Sequence, residues 1–76
     1  MWTTNPNSLY CKFSFANFSQ AFAFITQVAL LAEQANHHPT ITNTYNVVEI
    51  WLSTHDAGNT VTGKDEALAK AISKLV

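Results

Sequence analysis

Residues 46–54 read NVVEIWLST, and their alternation decides the class of fold. Val48, Ile50 and Leu52 fall on one side, and Val47, Glu49, Trp51 and Ser53 on the other. That is the period of two of a strand with one buried face. His55 continues the second face where the strand should end, and DAGNT at 56–60 supplies a loop whose glycine suits an unusual backbone angle.

Upstream, Leu9, Cys11, Phe13 and Phe15 alternate with Tyr10, Lys12 and Ser14, which predicts a strand over 8–15. Before it, TTNPNS has the Asn-Pro and Asn-Ser chemistry of a turn, so Trp2 to Thr4 is expected to form a short strand hairpinned onto the next. Between the strands, Asn17 is a good N-cap for a helix that starts at Phe18 and runs to about Asn36 with no Pro or Gly. Phe18, Ala21, Phe22, Phe24, Ile25, Val28, Ala29, Leu31, Ala32 and Ala35 fill roughly half of its wheel and are expected to lie on the sheet. Ala23 and Leu30, seven apart, make a narrow apolar strip within the polar half. Such a strip reads either as ordinary exposed apolar residues or as a seam for a second copy of the same helix. Near the C-terminus, Thr62 followed by Asp65 resembles a capping box, with Asp replacing the usual Glu or Gln. Ala67, Leu68, Ala71, Ile72 and Leu75 form the apolar stripe of a last helix, and Lys70 and Lys74 suit its C-terminal end. The order strand, helix, strand, helix, with antiparallel hairpins, gives an α+β fold with helices on one face of a small sheet.

Composition narrows the function. The chain has 76 residues and a formal charge of -1, which fits one domain. A domain of this size buries only about 60% of its unfolded surface, so association with a second copy is expected. Four Lys and Arg in all, with no basic cluster, argue against direct nucleic-acid binding. The stretch AFAFITQVALLA is interrupted by Thr26 and Gln27 and is too short to span a bilayer. A single cysteine, Cys11, mid-strand on the apolar face, fits inert packing and a reducing, intracellular setting.

The chemistry lies with the three histidines. In EQANHHP, residues 33–39, Glu33 and His37 are four apart, so on a continuing helix the carboxylate would orient the imidazole. Pro39 pushes His38 out of the helical region, which lets the two rings point different ways. Imidazoles are the natural proton carriers at neutral pH. On spacing alone the pair reads equally well as a solvated helix end. A zinc site ranks behind both, because sequential neighbours rarely converge on one ion and paired Cys or His spacing is lacking.

Taken together, AEQANHHP, YNVVEIWLSTHDAG and KDEALAKAI, with Trp2, KFSF and NFSQAFAFITQVALLAE upstream, resemble the pterin-4a-carbinolamine dehydratase family, also known as dimerization cofactors of a homeodomain transcription factor. The resemblance implies a four-stranded antiparallel sheet with helices on one face, assembled as dimers or tetramers through the long helices. It implies the dehydration of 4a-hydroxytetrahydrobiopterin to quinonoid dihydrobiopterin, with the pterin as substrate and neither metal nor redox cofactor. His37, His38 and His55 would line the pterin pocket, with His37 the acid for the hydroxyl and the other two sharing base and binding roles. Glu33 would hold His37, and Asp65 would orient His55 or meet the pterin's donors. Pro39, Tyr45 and Thr54 complete the implied supporting set. A transcription-factor partner and a cytoplasmic or nuclear location are implied as well. Two features depart from the family. A further helix ordinarily precedes the position of Trp2, so the single domain of residues 1–76 is expected to lack it and to expose the surface it covers. The loop DAGNTVTGKD also has one residue more, and one glycine fewer, than is usual before the aspartate.

Overall fold

In a computed structural model describing residues 1–76, the alternating segments pair into one antiparallel sheet. Its strands are β1 (Thr3–Asn5), β2 (Ser8–Ser14), β3 (Thr40–Thr44) and β4 (Val47–Leu52), in the order β1-β2-β4-β3. The register sets Cys11 opposite Ile50 and Phe13 opposite Val48, so Leu9, Cys11, Val48, Ile50 and Leu52 share one buried face. Two helices, α1 (Phe18–Ala35) and α2 (Gly63–Ser73), cover that face. Ala21, Phe24, Val28 and Ala32 of α1 and Leu68, Ala69 and Ile72 of α2 complete the core. Phe13 and Phe15 extend it, with ring centroids 4.7 and 5.0 Å from that of Phe24. Trp2, half-buried, packs edge-on to Phe13 and donates its indole N–H to Ser73 Oγ at 2.8 Å.

The expected fold class stands, with three adjustments. The buried stripe of α1 is narrower than its apolar composition, because an 18-residue helix on a small sheet reaches it along one line only. Phe18, Phe22, Ala29 and Ala35 are exposed instead of lying on the sheet, and so are Ala23 and Leu30. In α2, Ala69 is buried and Ala67 exposed. Strand β3, TITNT, carries a single apolar side chain, as suits an edge strand, and this is why periodicity alone passed over it.

Both helix starts follow their caps. Asn17 accepts the N–H of Gln20 at 2.9 Å, and Thr62 and Asp65 form the reciprocal capping box that opens α2. The end of α1 matters most for function. Asn36 sits in the left-handed region (φ 50°), with its N–H turned back to the carbonyls of Ala32 and Glu33. The helix therefore stops one residue short of the histidine pair.

Candidate active site

Asn36 changes where the rings go. Because the helix has ended, His37 no longer lies one turn above Glu33; it crosses to α2, where its Nε2 lies 2.6 Å from Asp65 Oδ1. The expected Glu33–His37 pair is thus replaced. Glu33 instead meets His38, Oε1 to Nε2 at 2.8 Å, on the surface. Asp65, expected to orient His55 or to meet the pterin's donors, anchors His37.

The two carboxylate–imidazole pairs differ in kind. His38 and Glu33 are both largely exposed, a setting in which such a contact contributes at most about 1 kcal/mol. The His37 side chain is 11% exposed and that of Asp65 not at all. Asp65 is saturated with donors: its Oδ2 accepts the Thr54 hydroxyl at 2.6 Å and the Thr62 N–H at 2.8 Å, while Oδ1 faces His37. The Thr62 hydroxyl lies 2.6 Å from that of Thr54 and so extends the chain of hydrogen bonds outward. Burial by itself pushes the Asp65 carboxyl up, but the hydrogen bonds from Thr54, His37 and Thr62, with the charge of His37, outweigh it and hold the group below the ordinary carboxylate range.

His55 follows β4 in a single 3-10 turn (His55–Ala57), which Gly58 closes at φ 82°. Its Nδ1 lies 3.2 Å from Asn59 Oδ1. Thr54 bridges to Thr60 and fixes the base of this loop, while its hydroxyl bonds to Asp65 beyond it. The start of β3, the end of β4 and the start of α2 thereby meet. There, His37, His38 and His55 line one polar depression of about 290 Å³, together with Thr54, Asp56 and Lys64. An apolar groove of about 340 Å³ between the helices adjoins it and shares His37 and Lys64.

Of the implied supporting residues, Thr54 and Asp65 belong to this site, Glu33 touches it through His38, and Pro39 stands between His38 and the first residue of β3. Tyr45 does not belong. It occupies the tip of the β3–β4 hairpin, exposed and at φ 52°, at the opposite end of these strands from the histidines. Lys64 and Asp56 line the depression although sequence reasoning passed over them; the only signal for Lys64 was its place beside Asp65 in the cap. No three His, Cys, Asp or Glu side chains converge as ligands for one ion.

An α+β domain carrying three imidazoles on one polar depression, with a buried carboxylate behind one of them, has the makings of an acid–base catalyst. The sequence profile of the pterin 4 alpha carbinolamine dehydratase family matches residues 1–75, and the chain belongs to that family. A relative from Prochlorococcus marinus (strain MIT 9215), provisionally named pterin-4-alpha-carbinolamine dehydratase, is 46% identical over 74 residues, which is 97% of this chain and 76% of that protein. Among solved structures, a transcriptional coactivator/pterin dehydratase from Brucella melitensis superposes with a TM-score of 0.90 at 37% identity, covering 96% of this chain and 79% of the other. A pterin dehydratase-like protein described as a RuBisCO assembly factor in the alpha-carboxysome superposes at 0.78 with 26% identity, covering 99% and 86%.

Proposed function

We propose that the chain dehydrates a 4a-hydroxytetrahydropterin, such as 4a-hydroxytetrahydrobiopterin, to the quinonoid dihydropterin, and so serves tetrahydrobiopterin recycling as a hydro-lyase. The observation that carries this reading is the meeting of His37, His38 and His55 around one depression of about 290 Å³, a volume suited to a flat bicyclic ring. Loss of water breaks the C4a–O bond, delivers one proton to the departing hydroxyl and removes one from the neighbouring N5, leaving a C4a=N5 double bond. Imidazoles, charged or neutral near pH 7, serve both transfers, and the balance needs no electron donor or acceptor. Lys64, which also lines the depression, brings a positive charge to it.

Stopped-flow absorbance of the 4a-hydroxypterin tests the reading. Its decay should accelerate with protein and fall about 100-fold or more in His38→Ala, as expected on loss of an acid–base group. An undiminished rate in that variant would sink the assignment.

A second reading concerns binding, and the exposed face of α1 favours it. Phe18 and Phe22, with ring centroids 5.7 Å apart, are about half exposed, and Leu30 is 67% exposed. This face would join copies of the chain into a homodimer or homotetramer, or engage a protein partner, in keeping with the transcriptional coactivator role named for the Brucella melitensis protein. Sedimentation of Ala23→Glu/Leu30→Glu against the parent separates the cases: an unchanged particle mass overturns the seam.

A further inference from the structure

We propose that proton transfer at His37 runs through Nδ1, and that Asp65, with Thr54 and Thr62 behind it, are positioning residues that keep the other ring nitrogen protonated. The proposal rests on the dehydratase reading for its catalytic consequence and on geometry alone for the state of the ring.

The oxygens of Asp65 are spoken for. Oδ2 receives the Thr54 O–H and the Thr62 N–H, with the Thr62 hydroxyl farther off at 3.4 Å, and Oδ1 has only His37 Nε2. A carboxylate donates nothing, so Nε2 must carry the hydrogen that spans those 2.6 Å. The other nitrogen, Nδ1, has no protein partner. Nor is it sealed away: His37, mostly but not wholly buried, contributes no enclosed, unpartnered nitrogen, so Nδ1 keeps a contact with solvent, on a ring that lines the depression. A neutral His37 therefore presents a lone pair at Nδ1, and a charged one presents Nδ1–H. Proton uptake and proton delivery use the same atom. The other titratable side chains that line the depression are His38, His55, Asp56 and Lys64, and none of them hydrogen-bonds to His37.

The arrangement predicts the outcome of one isosteric change. In Asp65→Asn the amide must place its oxygen where Oδ2 was, because the Thr62 N–H and the Thr54 hydroxyl both donate there. Its NH2 then faces Nε2, which must accept, and the single hydrogen of the neutral ring moves to Nδ1. The variant would keep the shape of the site and hold the ring in the wrong tautomer. The corresponding substitution in the serine protease triad lowers kcat about 10⁴-fold for that reason.

The test combines 15N-detected tautomer assignment of His37, without substrate in mildly alkaline buffer where imidazoles are neutral, with turnover of the 4a-hydroxypterin. Support is a parent ring protonated at Nε2, an Asp65→Asn ring protonated at Nδ1, and a kcat reduced about 100-fold or more in that variant. A parent ring protonated at Nδ1, or an Asp65→Asn variant that keeps both tautomer and rate, overturns the proposal. Thr54→Val and Thr54→Ser carry the test if Asp65→Asn fails to fold. Valine should lower kcat about tenfold at unchanged KM and serine should restore it; a kcat unmoved by valine removes Thr54 from the role. A parent with the expected tautomer but no turnover would instead defeat the dehydratase reading and leave the ring assignment standing.

Discussion

Asp65 does two jobs with one carboxylate: it closes the capping box of α2 and anchors His37. The shorter acid fits both. Glutamate, the commoner capping residue, would carry its oxygens one methylene farther out and could not keep the 2.8 Å bond to the Thr62 N–H together with the 2.6 Å contact to His37. Replacement by alanine removes the shared acceptor of the Thr54 hydroxyl, the Thr62 N–H and the His37 N–H, leaving the hydroxyl only its partner Thr62, at an expected cost of about 3 kcal/mol, read from urea unfolding. Acidity probes the same group. Its folded carboxyl lies below the ordinary value of 3.8, so the unfolded chain binds the proton more readily in that range. The stabilisation is complete above about pH 4 and is lost as pH falls through the folded value. Acid unfolding curves of the parent should therefore drop more steeply below pH 4 than those of Asp65→Asn, which has no carboxyl to titrate at this position.

The end of α1 and the hairpin β3–β4 show what a sequence discloses at the scale of elements. Strands β2 and β4, both helices and both N-caps were legible, because strict alternation, a clean apolar stripe and Asn or Thr caps are local signals. The end of α1 at Asn36 was legible too, but its consequence was not. Four-residue spacing implies a shared face only while the helix continues, and one left-handed residue sent His37 to Asp65, a partner 28 positions away. The three histidines, Thr54 and Asp65 were thus legible as neighbours through the family resemblance, while their pairing depended on a tertiary contact. Asn36→Gly, which accepts the left-handed angle freely, should retain activity. Asn36→Val should lose about 1–2 kcal/mol of stability and, by letting α1 run on, weaken turnover more than stability. Tyr45 gives the opposite case. At φ 52° on an exposed turn remote from the histidines, it should be replaceable by Asn or Gly with unchanged turnover and a gain of up to about 1 kcal/mol in thermal unfolding.

Across the whole molecule the core is thin: 14 of 76 residues are buried, one of them the charged Asp65. With so little apolar interior, the exposed Phe18, Phe22 and Leu30 are the natural reserve of further stabilisation. If copies join through α1, the melting temperature should rise with protein concentration, and Ala23→Glu/Leu30→Glu should abolish that dependence. Differential scanning calorimetry over a hundredfold concentration range distinguishes this from an independent monomer, whose midpoint stays fixed.

The double use of Asp65 has a consequence for behaviour on warming. Helix ends are the first parts of a fold to fray, and the turn that frays first at the start of α2 is the one that holds the ring of His37. On the dehydratase reading, heat should therefore silence turnover reversibly several degrees before the sheet gives way. In hydrogen exchange, the amides of Asp65 and Glu66 should open on the same schedule as activity disappears, while those of β4 remain closed.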